Sequence, residues 1–257
     1  MIKVALSGIN GRMGQMITDF VAMVVEAQIV AGIDIVNNRE NPYPVFTDIK
    51  DCDVKADAII DFSSANGFEE RMDYAVDKQI PIIVCSTGLS DEQLDYLKEA
   101  SKKVAVLKSA NMSLGVNTLM ELLQTAAKVL APAGIDMESV EKHHNQKLDA
   151  PSGTAIALAD SMNEALDEAY SYKYDRSQER KKRDKYEIGI QAVRGGNIVG
   201  EHEVIFAGTD EVITFKHTAY SKAIFGKGAI EAAKYLAGKF LDEVLYDITE
   251  DRLNYPD

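Results

Sequence analysis

From Lys3 onward, short apolar runs alternate with stretches of helical periodicity. Lys3–Ser7, Gln28–Asp34, Ala58–Phe62, Ile80–Cys85 and Val104–Lys108 each read as a buried strand. Between the last two, Ser90 with Gln93 three residues later makes a capping-box pattern that opens a helix over Glu92–Ser101. Such repetition predicts a parallel sheet joined by right-handed crossover helices.

From Asn111 the pattern changes. A long apolar helix over Val116–Leu130 ends near Pro132 and Gly134, and an extended stretch runs from Ile135 to His144. After Pro151 a helix carries Ala155, Leu158, Ala159, Met162, Ala165, Leu166 and Ala169 on one face. Tyr170 to Lys185 reads as a surface loop, and Glu187 to Thr218 as antiparallel strands turning at Gly195-Gly196 and at Gly208-Thr209-Asp210. A last helix, roughly Gly228 to Leu236 and closed by Gly238, precedes an acidic tail. No internal repeat is visible. The class is α/β. A Rossmann-like dinucleotide-binding domain with a parallel sheet occupies 1–112 and 223–257. An α+β domain for substrate binding and oligomerisation, with a mixed, largely antiparallel sheet, occupies 113–222.

The 257 residues are ample for a large core, and 41 acidic against 28 basic side chains give a net charge of −13. That balance opposes nucleic-acid or anionic-membrane partners. An anionic small ligand must then be held by a local basic island or by backbone N–H groups. Cys52 and Cys85 stand far apart without a metal-ligand pattern, as reduced thiols of a cytoplasmic protein do. Met1-Ile2-Lys3 runs straight into an apolar strand with no cleavage site after it, which also predicts a cytoplasmic location.

The first strand leads into Gly8-Ile9-Asn10-Gly11-Arg12-Met13-Gly14 and then a helix with Met16, Ile17, Phe20 and Val21 on its apolar face. Glycines permit a tight turn and a close approach, and the free N–H groups of a helix start attract a pyrophosphate. The spacing departs from G-x-G-x-x-G by one residue, so an ordinary glycine turn of a flavodoxin-like domain is the competing reading. Asp34 ends the second strand twenty residues after Gly14, where an acid accepts hydrogen bonds from a ribose. A 2′-phosphate would meet a like charge there. Ile35 offers no compensation, and Arg12 could swing toward it. NADH is therefore expected to be preferred and NADPH tolerated.

Lys142-His143-His144-Asn145-Gln146-Lys147 concentrates cationic groups in an acidic chain, and Asp149-Ala150-Pro151-Ser152-Gly153-Thr154 follows at once to open a helix. Oriented donors at the helix start and the Lys147 charge together suit a small dicarboxylate. Taken singly, solvated histidines and a simple helix cap explain the same residues. His202 and His217 lack further ligands at metal spacing, so no metal is expected. The six basic residues between Arg176 and Lys185 are broken by Glu179 and Asp184, as in a solvated loop.

The string Glu141 to Thr154 closely resembles the signature of the 4-hydroxy-tetrahydrodipicolinate (dihydrodipicolinate) reductase family of lysine and diaminopimelate biosynthesis. The resemblance spans essentially the whole chain. It includes Gly8 to Gly14, Asp61-Phe62-Ser63, Ser86-Thr87-Gly88, Asn111 with Gly115-Val116-Asn117, and Val193 to His202. It implies hydride transfer from a nicotinamide to a cyclic imine bearing two carboxylates, with His143 and Lys147 as the catalytic acid/base pair. It places His144, Lys147, Ser152, Gly153 and Thr154 at the substrate. Gly8, Ile9, Asn10, Gly11, Arg12, Met13, Asp34, Cys85, Ser86, Thr87, Ser109, Ala110, Asn111 and Met112 fall at the cofactor, and Asp149 fixes the loop. Lys222 stands where a carboxylate-binding arginine is expected, and Cys85-Ser86 departs from the usual pair of residues before Thr87. Domain closure over a substrate held between the domains is expected of a two-domain reductase, and the family further implies a homotetramer formed through the second sheet, with Val204 to Phe206 buried there. The rival readings are a regulatory protein that senses NADH and a reductase of another small oxo or imino acid.

Overall fold

The computed structural model describes residues 1–109 and 111–239, together with the backbone of Tyr246–Asp247. Ala110 and the remainder of the acidic tail lie outside the described residues. The chain divides into two compact units, Met1–Ser113 with the segment from Ala223 onward, and Leu114–Lys222.

In the first unit the strands are β1 (Ile2–Ser7), β2 (Ala27–Ile33), β3 (Val45–Phe46), β4 (Ala58–Asp61), β5 (Ile82–Val84), β6 (Val106–Lys108) and β12 (Tyr246–Asp247). Its helices are α1 (Arg12–Val21), α2 (Phe68–Lys78), α3 (Asp91–Ser101) and α6 (Ala223–Leu236). All strand pairs are parallel, in the order β12-β6-β5-β4-β1-β2-β3. Omitting the last strand, the order runs 3-2-1-4-5-6, with its reversal between β1 and β4, the doubly wound arrangement whose ligands lie beyond the carboxyl ends at that point. One face is packed by Ile17 and Val21 of α1 and by Ala229, Ile230, Ala233 and Leu236 of α6. The other is packed by Phe68, Met72 and Ala75 of α2 and by Leu97 and Ala100 of α3.

The five expected strands and the helix kinds of this unit follow the apolar periodicity, while α2 and β12 are not among the expected elements. β3 is only two residues long, too short to show a period, and α6 begins five residues before the expected Gly228. Ser90 caps α3 as the sequence predicts, with the Gln93 side chain closing the reciprocal box. Gly238, at φ +81°, follows the end of α6.

The second unit holds α4 (Leu114–Leu130), β7 (Asp136–His143), α5 (Gly153–Glu164), β8 (Ser171–Lys173), β9 (Glu187–Arg194), β10 (Gly200–Ala207) and β11 (Val212–Ala219). Its sheet order is β11-β10-β7-β9-β8. The β10–β11 and β7–β10 pairs are antiparallel, whereas β7–β9 and β8–β9 are parallel. The sheet is mixed, and its antiparallel ladders are together longer than its parallel ones. β9 and β10 are not neighbours, because β7 lies between them. The Gly195-Gly196 turn thus passes over the end of β7, where Gly195 N–H donates to the His143 carbonyl over 2.9 Å. α4 and α5 supply Val116, Leu123, Leu158 and Met162 to a core that also takes Met137, Ile188, Val204 and Phe206 from the sheet.

Three expectations for this unit are corrected. α5 stops at Glu164 because Asp167 and Glu168 adopt positive φ, so Ala169 is not on its face. The stretch from Tyr170 contains β8 and is tied down by arginines: Arg176 and Arg183 both donate to Glu138 Oε1, at 2.7 and 2.8 Å. Val204 and Phe206, expected at a subunit interface, are wholly buried within their own unit, whereas Ile205 is half-buried and Val193, Val212 and Ile213 are exposed.

Candidate functional site

At the end of β1 the chain turns at Gly8, whose φ is +80°. A Cβ on Gly8 would stand 2.8 Å from the Phe62 backbone, and one on Gly14 only 2.3 Å from the Gly8 carbonyl oxygen. These two glycines let the turn fold flat against β4 and the start of α1. Gly11 caps α1 in an extended conformation with no side-chain bond to the first turn, so the leading N–H groups face outward as anion donors.

Asp34, just past β2, accepts the Asn10 N–H through Oδ2 at 2.8 Å, leaving Oδ1 for a ribose hydroxyl. Asn10 Nδ2 in turn donates to the Val36 carbonyl over 2.6 Å. The cleft along these residues measures about 1020 Å³ and is walled by the ends of β1, β2 and β4. Gly8, Asn10, Gly11, Asp34 and Thr87 line it, and so do two arginines that the sequence did not single out, Arg39 and Arg71. Glycine spacing, an uncapped helix start and a carboxylate with one oxygen to spare fit a pyridine dinucleotide.

The other expected cofactor residues divide. Ile9 and Met112 are buried among the core side chains, so only their backbones can face a ligand. Arg12 is exposed and Met13 half-buried beside the turn. Ser86 is buried with Oγ 3.4 Å from Asp61 Oδ2, and Cys85 is a free thiol whose pKa burial pushes well up. Ser109 Oγ accepts from Asn111 N–H over 3.2 Å and donates to the Asn111 carbonyl over 2.9 Å, folding that turn on itself. Ala110 lies outside the described residues.

In the second unit, β7 carries the expected histidine. Its alternate positions Met137, Ser139, Glu141 and His143 point inward. Glu141 is fully buried, and four donors meet it. Arg194 grips both oxygens at 2.7 and 2.8 Å, His143 Nδ1 lies at 2.6 Å, and the Ser152 N–H at 3.0 Å. Burial pushes the Glu141 carboxyl pKa up, but Arg194, His143 and Ser152 together hold it below the usual value. An ionised carboxylate only accepts, so the His143 proton resides on Nδ1 and Nε2 carries the lone pair. The ring sits against Gly200, where an added Cβ would come within 3.2 Å of Nε2. Burial lowers the His143 pKa, Glu141 opposes that, and the charges of Lys147 and Arg194 add to the lowering.

Ser152 caps α5, its Oγ accepting from Ala155 N–H at 3.2 Å and lying 3.1 Å from His202 Nε2. The His202 ring stands edge-on to His143 with centroids 5.2 Å apart. Lys147, half-buried, is held by Asp149 at 2.9 Å, the loop-fixing part expected of that acid. His144 and Thr154 are half-buried at the cluster's margin, Gly153 is exposed at the first position of α5, and Lys222 is exposed between β11 and α6. Sequence reasoning named Glu141 and Arg194 only as parts of motifs. The available signal was the carboxylate two residues before His143 on a strand, hence on the same inward face, where a charge requires a partner. Among the described residues, no group of three or more His, Cys, Asp or Glu could hold a metal ion, and no helix is long and apolar enough to cross a membrane.

A parallel sheet of this order with an uncapped glycine turn, in a chain that also carries a mixed-sheet unit with a histidine–lysine cluster, defines a dinucleotide-binding reductase. The sequence matches the family models "Dihydrodipicolinate reductase, N-terminus" over residues 2–112 and "Dihydrodipicolinate reductase, C-terminus" over 115–250. The chain belongs to the dihydrodipicolinate reductase family. The 4-hydroxy-tetrahydrodipicolinate reductases of Caldanaerobacter subterraneus subsp. tengcongensis and Clostridium novyi are each 47% identical to it over 239 residues, covering 93% of this chain and 94% of each relative. Among solved structures, a dipicolinate-bound dihydrodipicolinate reductase from Paenisporosarcina sp. TG-14 shares the fold at TM-score 0.79 and 23% identity, covering 96% of this chain and 97% of that one. A probable dehydrogenase from Thermotoga maritima does so at 0.59 and 12%, covering 91% and 87%.

Proposed function

We propose that this chain reduces 4-hydroxy-tetrahydrodipicolinate to tetrahydrodipicolinate in lysine and diaminopimelate biosynthesis, using NADH in preference to NADPH. The observation that carries the reading is the Glu141 to Thr154 segment: one continuous stretch supplies a buried imidazole, an ammonium and a capped helix start, in a chain 47% identical to relatives that bear this enzyme name.

A bound pyridine nucleotide supplies the hydride. The chain's own groups do the rest. The first turn of α1 receives the pyrophosphate, and Asp34 Oδ1 takes a ribose hydroxyl. In the second unit the α5 N-terminus, with Ser152, Gly153 and Thr154, receives one substrate carboxylate, and His144 and Lys222 assist with the other. Lys147, released from Asp149, sets its ammonium beside the ring. Charge arriving on the ring is quenched by a proton from the Lys147 Nζ ammonium, which the His143 Nε2 lone pair orients by accepting a hydrogen bond. At about 4 Å and an effective dielectric near 20, one such charge contributes roughly 4 kcal/mol before desolvation is deducted. Ser109, Asn111, Met112 and Cys85 to Thr87 shape the nucleotide site.

The NADH preference is supported by Ile35 beside Asp34, 88% exposed and uncharged, and the tolerance of NADPH by Arg39 in the same cleft. Assembly through the second sheet, as a homotetramer, is supported by the exposed apolar Val212 and Ile213 on its edge strand β11. A cytoplasmic location accords with a biosynthetic reductase.

The test is loss of nicotinamide absorbance when the purified protein meets the condensation product of pyruvate and aspartate semialdehyde, generated in place by its synthase. Oxidation with that product and none with pyruvate alone is expected. Equal oxidation with simple oxo acids would transfer the chain to another substrate. His143→Ala and Lys147→Ala are expected to lower turnover strongly while leaving NADH affinity intact.

A further inference from the structure

Glu141 is the meeting point of three elements. His143 comes from the same strand, Arg194 from the end of β9, and the Ser152 N–H from the cap of α5, and all four donor bonds fall between 2.6 and 3.0 Å. A carboxylate offers about four lone-pair sites, so this one is fully used. Nothing in helix or strand formation requires an anion at this inward position. A buried acid with a histidine and a helix cap on it is costly unless every donor stays in place.

We propose that Glu141, clamped by Arg194, is the positioning residue of this site: it keeps the His143 proton on Nδ1, so that Nε2 keeps the lone pair that orients Lys147, and it fixes the α5 cap at a set distance from that ring. The proposal rests on the function given above and deepens it. Arg194 has a distinct part. With its charge spent on both Glu141 oxygens, the carboxylate orients the imidazole without drawing it into the imidazolium form at neutral pH. The other groups facing the ring are the Lys147 ammonium, the His202 ring with its centroid 5.2 Å away, and the Gly200 backbone on the Nε2 side. Glu141 is the group in hydrogen-bond contact with Nδ1.

The test combines nitrogen NMR of imidazole-labelled protein with steady-state kinetics, on wild type, Glu141→Gln, Arg194→Met and the neutral pair Glu141→Gln/Arg194→Gln. The double variant removes both charges together and keeps the test open should a single variant fail to fold. Wild type should show His143 as the Nδ1–H tautomer. Glu141→Gln and the double variant should shift it toward Nε2–H and lower kcat by about a hundredfold, as a misplaced tautomer does, with the KM for NADH unchanged. Arg194→Met should keep the tautomer and move the His143 titration, and the matching limb of the pH–rate profile, upward. An unchanged tautomer in both Glu141 variants would overturn the proposal. A shifted tautomer in a protein whose His143→Gln variant retains full turnover would leave the clamp standing and instead remove His143 from the reaction.

Discussion

Arg71 Nε donates to Asp61 Oδ2 over 2.9 Å, and both side chains are withdrawn from solvent. The pair does more than join α2 to β4. Asp61 Oδ1 also accepts from the Ser63 N–H and hydroxyl at 3.0 and 2.5 Å, and Arg71 donates to the carbonyls of Ser64 and Asn66 at 2.6 and 2.9 Å. One ion pair thus shapes the whole loop from Ser63 to Gly67 that walls the nucleotide cleft. Replacing Arg71 by Met leaves Asp61 buried and unpaired, which costs about 3–5 kcal/mol. Urea unfolding should register that loss, and calorimetric titration should show weaker NADH binding. An unaltered nucleotide affinity would mean that the loop holds its shape without the pair.

The two glycines that flank the turn predict a contrast with a third. Gly14→Ala would drive a Cβ into the Gly8 and Ile9 carbonyl oxygens at 2.3 and 2.5 Å. Backbone cannot yield as a side chain does, so a loss of about 3 kcal/mol or more is expected, with nucleotide binding lost as well. Gly153→Ala meets nothing within 4 Å. Its stability should stay within about 1 kcal/mol of wild type, on the stabilising side, because it opens a helix. Thermal unfolding of both variants checks this.

Arg39 and Arg71 both line the cleft that holds Asp34, and Arg71 is paired with Asp61. A 2′-phosphate beside the Asp34 carboxylate needs a cation, whereas a free ribose hydroxyl does not. Arg39→Met should therefore raise the KM for NADPH by about tenfold, the worth of one partly solvated phosphate contact, and leave the KM for NADH nearly unchanged. Equal effects on both coenzymes would place Arg39 on the shared part of the nucleotide. In the wild-type protein, a KM for NADPH far below that for NADH would contradict the proposed preference.

His202 sets a pH dependence. Burial, assisted by the charge of His143, pushes its pKa down to about 4 from an ordinary 6.5. Between those values the unfolded chain binds a proton that the folded chain refuses, so stability falls as pH drops from 6.5 toward 4. The contribution is roughly 3 kcal/mol at the acid end. His143 and His217, also lowered chiefly by burial, act in the same direction. Urea midpoints at pH 7 and pH 4.5 should separate widely in wild type and less so in His202→Gln, which retains a partner for Ser152. Equal slopes would show that His202 is already protonated in the folded state.

What the chain determines by itself is local. Apolar alternation marks β1, β2, β4, β5 and β6, Ser90 with Gln93 opens α3, Gly238 stands past the end of α6, and the glycines from Gly8 to Gly14 make a turn before a helix. All of these are settled within a few residues, because periodicity, caps and φ preferences act over one or two turns. The stretch from Glu141 to Thr154 was legible for the same reason: its charges and helix start are contiguous. Tertiary structure decided whatever joins distant segments. β7 lies between β9 and β10, Arg194 reaches Glu141 across 53 positions, and Arg39 and Arg71 come to one cleft. Strand order and the pairing of buried charges depend on which surfaces can cover each other after the chain has closed. Neither has a local pattern from which it could be read.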